Sequence, residues 1–370
     1  TSTVGDSGAG SRRGIQVFGG FGHVIGGSDP ADRNVISGND IAITIAGGSS
    51  IRVSGNYIGV AADGIGPIGN VGDGVWIHSA ANNVTVGGST DGQRNVISGN
   101  AGNGVLIDGS NVTVRGNYIG TNAAGTTDLG NGSVGIRILG SNNTIGGADG
   151  AGNLNSGNDA YGIEVFGAAS AGNSIVGNRI GTDAAGSVAI PNEVGIRIAG
   201  GAGGNVVGGT QVAQSNLISG NLGSGVLIVG TGTDDNQIAG NLIGLNAADT
   251  AGIPNATGIT VGDGAAGTVI GGPVLAAGNV ISGNFGDGIF LASLHTGTKI
   301  QGNRIGTNAM GSAAVGNGGF GILAASGSDS LLIGGQSTVA AGNVVSGNLS
   351  GGIRIEQSDS VMVAGNLIGT

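Results

Sequence analysis

Residues 135–194 read GIRILGSNNTIGGADGAGNLNSGNDAYGIEVFGAASAGNSIVGNRIGTDAAGSVAIPNEV, and this stretch contains one pattern twice. Its first half opens with GIRI, and its second half starts again at GIEV. The whole stretch is one of six similar units, whose starts are separated by 60, 61, 60, 63 and 63 residues. The units begin at Gly14, Gly74, Gly135, Gly195, Gly258 and Gly321. The chain is therefore a repeat protein, and its smallest unit is half of such a stretch.

Each half carries three short apolar segments, with the patterns G-[IV]-x-[IV], x-[IV]-x-G and N-x-[IV]. Segments of this length are too short for helices. Within each segment the apolar residues alternate with other residues, as they do in a β-strand that has one buried side. The sequence therefore predicts three short strands in every half.

An asparagine opens the third segment of every half. The separations between these asparagines alternate between 22–25 and 36–40 residues, so that short and long halves follow one another. Stacked in a column, their side-chain amides would form a ladder that satisfies backbone groups left unpaired at a turn. The predicted ladder residues are Asn34, Asn56, Asn95, Asn117, Asn153, Asn178, Asn216, Asn241, Asn279, Asn303, Asn343 and Asn366.

A single half cannot bury its own apolar side, so it must stack on copies of itself. We therefore predict an all-β parallel β-solenoid of about 12 coils in six two-coil repeats. A six-bladed β-propeller is the alternative, but it needs four hairpin-linked strands per blade. The inward residues of the solenoid would form columns. One predicted column contains Ile36, Ile58, Ile97, Ile119, Ile180, Ile218, Ile243, Ile281, Ile305 and Ile368.

The composition excludes several classes of protein. Glycine contributes 86 of the 370 residues, charged residues 9% and hydrophobic residues 39%, so the chain has apolar surface to bury. The net charge of −10 and the single lysine, Lys299, argue against a nucleic acid as partner. No apolar run approaches the ~20 residues of a membrane span. There is no cysteine for disulfides or for thiol-dependent zinc sites.

The sequence begins and ends at the same point of the repeat. Thirteen residues precede Gly14, and elsewhere 12 or 13 residues separate an IGT-type tripeptide from the next repeat glycine. The chain ends on such a tripeptide, Ile368-Gly369-Thr370. We therefore expect one solenoid domain over residues 1–370 that continues beyond both ends, covalently or by end-to-end self-association. Such head-to-tail contacts do not close and would give a fibre.

The recurring strings GIxI, NxIGG, RNVISGN and GNxIGTxAAG resemble the right-handed parallel β-helix repeats of large bacterial surface and secreted proteins. These proteins belong to the pectin-lyase-like superfamily. The resemblance covers the whole chain and implies a right-handed β-helix. It implies no single activity, because the fold carries polysaccharide lyases, hydrolases, epimerases, tailspikes, adhesins and fibres without catalysis.

The middle residue of each GIxI segment points outward, and in relatives such a column binds sugars. Arg137, Glu164 and Arg197 fall on three consecutive coils, about 4.8 Å apart with alternating charge. They are predicted either to form a salt-bridge ladder or to bind a carbohydrate or carboxylate. The candidate ligand residues of the column are Trp76, Arg137, Glu164, Arg197, Phe290 and Arg354.

A second outward column consists of the residues that follow the ladder asparagines, and most of them are apolar. The AAG-containing loops of the long coils would cover this column, or a second rod would pack against it. His78 and His295 fall between strands without acidic neighbours in the sequence, and we expect both to be solvated.

Sequence patterns of polygalacturonase-like hydrolases and calcium-dependent lyases are missing, so no catalytic residue, metal site or cofactor is predicted. The coil lengths vary by only a few residues, whereas an enzyme usually interrupts its repeat with a catalytic loop. We therefore predict a non-catalytic structural or adhesive solenoid, extracellular or on the cell surface, in a fibre, sheath or adhesin stalk. The alternative is a carbohydrate-active enzyme or glycan-binding module with a polysaccharide partner.

Overall fold

The computed structural model of the chain describes residues 12–292, 294–335 and 341–369. Within these ranges, three parallel β-sheets of twelve strands each follow the order of the sequence. The chain runs from sheet 1 to sheet 2 to sheet 3 and then returns to sheet 1 in the next coil. The predicted parallel β-solenoid is confirmed, and the propeller alternative is wrong because the strands of all three sheets pair in parallel. Residues 1–11 and Thr370, which the prediction about the ends includes, lie outside the described residues.

The strands are short, and many have only two or three residues. Sheet 1 contains Arg13–Val17, Ile41–Ile45, Val75–Ile77, Val105–Ile107, Ile136–Ile138, Tyr161–Phe166, Val194–Ala199, Ser224–Val229, Thr257–Gly262, Ile289–Leu291, Phe320–Ala324 and Gly351–Ile355. Sheet 2 contains Val24–Gly26, Arg52–Ser54, Thr85–Gly87, Thr113–Arg115, Thr144–Gly146, Ser174–Val176, Val206–Gly208, Gln237–Ala239, Val269–Gly271, Lys299–Gln301, Leu332–Gly334 and Met362–Ala364. Sheet 3 contains Val35–Ile36, Tyr57–Ile58, Val96–Ile97, Tyr118–Ile119, Leu154–Asn155, Arg179–Ile180, Leu217–Ile218, Leu242–Ile243, Val280–Ile281, Arg304–Ile305, Val344–Val345 and Leu367–Ile368.

Smaller elements lie in the turns. Two further pairs of parallel strands join Gly48–Ser49 to Ala81–Asn82 and His295–Thr296 to Ser328–Asp329. The described ranges also contain 3-10 helices at Pro30–Asp32, Asp91–Gln93, Val212–Gln214 and Leu275–Ala277.

The core is a set of aliphatic columns between the three sheets. In sheet 3, Ile97 pairs directly with Ile58 on one side and Ile119 on the other, and all three are fully buried. Each buried isoleucine contributes about 1.5–3 kcal/mol relative to an exposed one. Because a shift of one residue would turn a whole strand inside out, this burial also fixes the register of every coil.

Two sets of glycines have a steric role at the corners. Between sheets 2 and 3, Gly116 has a φ of +67°, and a Cβ there would lie 2.1 Å from the carbonyl oxygen of Gly88. At the start of the sheet 1 strand, a Cβ on Gly195 would lie 2.8 Å from Cγ2 of Ile218 and 2.9 Å from Nδ2 of Asn221. The glycines of the GN and GIxI motifs therefore make room for the neighbouring coil and for the core.

The predicted asparagine ladder is confirmed. Its twelve residues form an unbroken chain in which each Nδ2 donates to the Oδ1 of the next asparagine, at 2.8–3.1 Å. A typical inner rung, Asn117, also donates to the carbonyl of Val86 at 2.9 Å, and its own backbone N–H donates to Oδ1 of Asn153 at 3.0 Å. The ladder thus links side chains to side chains as well as to backbone groups.

The structure contains a second asparagine ladder, with eleven members, that the sequence analysis did not predict. It stands where the chain enters sheet 1, and its Nδ2 to Oδ1 distances are 2.7–3.1 Å. Its members are Asn39, Asn70, Asn100, Asn131, Asn158, Asn192, Asn221, Asn255, Asn284, Asn317 and Asn348. Six of the eleven end SGN strings and the other five lie in the long loops that lead to sheet 1, so unequal loop lengths hid their alignment in the sequence.

The two coils of each sixty-residue unit differ in the position of their long loop. In the first coil the long segment, residues 27–34, connects sheets 2 and 3 and contains a 3-10 helix. In the second coil that connection is only Gly55-Asn56, and the long segment, residues 59–74, connects sheet 3 to sheet 1. The long segment 59–74 and the corresponding long segment of the next unit, residues 88–95, therefore fall between the same two ladder asparagines, Asn56 and Asn95, which explains the alternation of short and long separations.

The long loops between sheets 3 and 1 fold back over sheet 3. A Cβ on Gly125 would lie 2.9 Å from both the Tyr118 ring and the Leu154 side chain. Successive loops are also joined, because the Ala184 N–H donates to the Gly125 carbonyl at 2.9 Å. In the middle of the column, Leu154 and Leu217 are consequently buried. The predicted loop cover of the second outward column is confirmed.

The inner rungs of the ladder should contribute more to stability than its ends. Replacing Asn178 by alanine removes the acceptor of Asn153 and the donor to Asn216 in a buried place. We expect Asn178→Ala to lower the free energy of unfolding by at least about 2 kcal/mol, as measured by urea denaturation. Asn34→Ala, at the partly exposed first rung, is the matched control and should cost less than about 1 kcal/mol. Equal losses would contradict the ladder's role.

Asn155 interrupts the isoleucine column of sheet 3. It lies between Ile119 and Ile180, its Oδ1 accepts from Asn158 at 3.2 Å, and its Nδ2 is buried without a hydrogen-bond partner in the described chain. Because an unpaired buried amide is costly, Asn155→Ile should raise the free energy of unfolding by about 1–3 kcal/mol. The reverse exchange one coil earlier, Ile119→Asn, should lower it. If both Asn155→Ile and Ile119→Asn stabilised the protein, or if neither did, the unpaired Asn155 amide would not be the destabilising group.

Candidate functional site

The outer face of sheet 1 brings three of the predicted ligand residues together. Arg137, Glu164 and Arg197 are direct neighbours in the register of consecutive strands. Arg197 Nη1 donates to Glu164 Oε1 at 2.5 Å, and Arg137 Nε lies 3.1 Å from Glu164 Oε2. The Glu164 side chain is only 4% exposed, whereas those of Arg137 and Arg197 are 35% and 22% exposed. A buried carboxylate is thus enclosed by two arginines that reach solvent.

The two arginines hold Glu164 unequally. The contact of Arg197 is a hydrogen bond, but Arg137 Nε does not have hydrogen-bond geometry toward the carboxylate. One carboxylate cannot neutralise two guanidinium groups, so this group of three carries a formal charge of +1. The remaining N–H groups of both arginines are donors for an additional anion.

Aromatic rings border the charged group, and the sequence analysis did not include them. The Phe166 ring lies 5.6 Å from the Arg137 guanidinium and 5.7 Å from that of Arg197, and the Tyr161 ring lies 5.2 Å from Arg197. Phe166 is two residues after Glu164, so strand alternation alone could have placed it on this face. Tyr161 is three residues before Glu164 and would have been assigned to the opposite face.

Trp76 stands two coils before Arg137 in the same column, because Leu106 pairs with both residues. This places it about 10 Å away along the rod. Its indole Nε1 donates to Asp108 Oδ2 at 2.7 Å, and its ring stacks on His78 with a centroid distance of 3.9 Å. His78 therefore packs against the indole with its Nε2 buried, and the prediction that it is solvated is wrong.

Phe290 and Arg354 do not join these residues. Phe290 lies three coils beyond Arg197, next to Thr260 and Leu323 in the register of sheet 1. Arg354 is on the last strand of the sheet, where it pairs with Glu356 at 2.5 Å and lies 5.5 Å from the Phe320 ring. The compact part of the predicted face therefore extends from Trp76 to Arg197.

The groups whose pKa departs from its ordinary value lie outside this face. Burial raises the pKa of Asp128, and the nearby Asp159 adds to that effect although a Gly130 N–H opposes it. Burial also works to raise the pKa of Asp183, but hydrogen bonds from the backbone of residues 186–188 and from the Ser187 hydroxyl outweigh it and lower that pKa. In the described ranges no three His, Cys, Asp or Glu side chains come close enough to hold a metal ion, and no helix is long and apolar enough to cross a membrane.

His295 is buried, and the prediction that it is solvated is wrong as well. It is 2% exposed, it occupies a turn position filled by Ser328 in the next coil, and one ring nitrogen lies 2.7 Å from the carbonyl oxygen of Ala292. Burial lowers its pKa below the ordinary 6.5, although the Ala292 carbonyl and Asp329 work in the opposite direction. The folded protein therefore disfavours the charged imidazole.

The buried His295 should make stability depend on pH. Below pH 6.5 the unfolded chain takes up a proton that the folded chain resists, so stability falls as the pH drops from 6.5 toward the lower folded pKa. We expect His295→Ser, which copies Ser328 of the next coil, to remove this component of the pH dependence of urea unfolding. His23→Ser, at an exposed histidine, should leave it unchanged. An unchanged pH profile in His295→Ser would contradict the assignment.

Comparison with known proteins gives similarity in structure only. No protein-family model and no curated protein matches the sequence. Similar solved structures include a mutant of the periplasmic alginate epimerase AlgG, 15% identical with a TM-score of 0.45, where the match covers 90% of this chain and 77% of that one. The Dettilon tailspike protein is 16% identical with a TM-score of 0.40, covering 91% and 57%. The pectate lyase Pel9A is 14% identical with a TM-score of 0.32, covering 95% and 79%.

Proposed function

We propose that this protein is an extracellular or cell-surface β-helix that binds an acidic polysaccharide along the outer face of sheet 1. The observation that carries the proposal is the pair of exposed arginines, Arg137 and Arg197, around the single buried carboxylate of Glu164. A guanidinium group binds carboxylate and sulfate oxygens through two parallel N–H groups. Glu164 accepts a hydrogen bond from Arg197 and forms an ion pair with Arg137, so both side chains are constrained and less conformational entropy is lost when an anion binds.

The position of Trp76 supports an extended ligand. Its indole is fixed by Asp108 and by the stacked His78 ring, and it lies in the same column as Arg137. A polysaccharide that runs along the rod could place an apolar sugar face near the indole and a charged substituent at the arginines. The ligand would thus follow the coil axis.

The two carboxylates of this face are engaged in orienting their neighbours. Glu164 accepts from Arg197, and Asp108 accepts from Trp76. In these roles they preorganise a binding surface, and we assign the protein an adhesive, glycan-binding function without turnover. The structural role in a fibre or stalk would be a consequence of end-to-end assembly, which the experiment below also measures.

The test replaces the charged group by leucine, the residue that flanks it at positions 106 and 227 of the column. In Arg137→Leu/Glu164→Leu/Arg197→Leu, all three charges leave together, so no buried charge is left unpaired and the fold should persist. Affinity for alginate and polygalacturonate, measured by titration calorimetry, should fall about 100-fold or more. Wild-type binding should weaken with added salt.

Arg354→Leu is the matched control, because it introduces the same residue into the same column and changes the formal charge by the same single unit. It should bind the acidic polymers like the wild type. Equal affinity of the triple variant and the wild type would overturn the proposal, and so would depolymerisation of either polymer by the wild-type protein. Filaments in sedimentation without any binding of acidic polymers would favour the purely structural function.

A further inference from the structure

The outer face of sheet 2 carries a column of hydroxyl groups. Thr85, Thr113, Thr144 and Ser174 are direct neighbours in the register of four consecutive strands. All four side chains are partly exposed. None of the four hydroxyls makes a hydrogen bond with another group in the described chain. The hydroxyl of Ser98, in contrast, donates to the carbonyl of Thr121 at 2.7 Å.

Exposed amides border this column on the side of sheet 1. Asn83, Asn111 and Asn142 each stand two residues before a column threonine, with φ of 54°, 58° and 56°. The left-handed conformation turns these side chains outward at the same corner of three consecutive coils, and all three are exposed. They add a row of groups that both donate and accept hydrogen bonds.

The opposite border consists of the long connections between sheets 2 and 3. Asp149 and Gln214 from two such connections line a groove together with Thr113, Thr144 and Ser174. The charges on this border cancel, because Arg115 pairs with Asp149 at 2.5 Å. The groove lined by Thr113, Thr144 and Ser174 is therefore polar but electrically neutral, and the exposed Arg52, the register partner of Thr85, lies beyond its Thr85 end.

We propose that this groove is a second ligand site, which takes a neutral polysaccharide lying along the rod. Sugar hydroxyls are donors and acceptors at once, and the hydroxyl and amide side chains of the groove are too. The column offers one hydroxyl per coil at a spacing of about 4.8 Å, which suits a ligand with regularly repeated hydroxyl groups. This site does not include the arginines on sheet 1. Its proposed ligand is neutral, whereas the ligand proposed for the sheet 1 site is acidic.

The test compares one variant that removes hydroxyl groups from the column with one that adds a hydroxyl group. Thr113→Val/Thr144→Val keeps the shape of both side chains and removes two hydroxyls. Val206→Thr adds a fifth hydroxyl to the column, because Val206 pairs with Ser174 in the next coil. Binding of hydroxyethyl cellulose and of linear mannan is measured by affinity electrophoresis and calorimetry. We expect about thirtyfold weaker binding for the double variant and about fivefold tighter binding for Val206→Thr.

Two controls separate this site from the one on sheet 1. The triple leucine variant of residues 137, 164 and 197 should bind the neutral polymers like the wild type, and added salt should not weaken that binding. The valine variant should keep its affinity for polygalacturonate and its thermal unfolding midpoint. Failure of the wild type to bind either neutral polymer would overturn the proposal. Unaltered binding of the neutral polymers by the valine variant would overturn it too. So would thermal hysteresis of freezing in the wild type that the valine variant lacks, because ice would then be the ligand.

Discussion

Hydrogen bonds that run along the rod from coil to coil hold this fold together, and the asparagine ladders are their most demanding part. Each rung needs a side-chain amide at the same place in every coil, within about 3 Å of the rungs on both sides. That requirement fixes the neighbouring residues as well. A glycine must precede the short-turn rung, as Gly116 does, and a core residue must follow two positions later, as Ile119 does. Only the connections between the sheets can therefore vary in length from coil to coil.

The ladder spacing also accounts for the sixty-residue repeat. Neighbouring coils are about 4.8 Å apart, yet long loops that lie two coils apart already touch, since the Ala184 N–H donates to the Gly125 carbonyl at 2.9 Å. Long loops at the same corner therefore fit only in every second coil. The chain meets this limit by placing its long loop between sheets 2 and 3 in one coil and between sheets 3 and 1 in the next, as residues 27–34 and 59–74 do. Two coils are thus the smallest unit in which the loops can stack.

The sequence predicted the parts of the structure that every coil repeats at a constant offset. The first ladder and the isoleucine column were found because both stand next to a strand of fixed length. The second ladder was missed because loops of unequal length precede residues such as Asn70. His295 was misassigned for a related reason, since Ser328 and Asp329 beside it belong to the next coil and are distant in the sequence. His78 was misassigned although its stacking partner, Trp76, is only two residues earlier. On the outer face of sheet 1, the arginine pairing followed from the spacing, whereas the Tyr161 contact required the coordinates.

The outer faces of the three sheets are unequally exposed, and this follows from the same loop arrangement. Loops that return from sheet 3 pack on residues such as Tyr118 and bury that face. Sheets 1 and 2 keep exposed outward columns, and their inward residues pack in the core. Outward side chains can therefore differ from coil to coil without disturbing the register, as the charges near Glu164 and the hydroxyls near Thr144 show. A β-helix of this kind needs no inserted loop to build a binding site, because aligned residues on consecutive coils form a row with the spacing of the backbone itself.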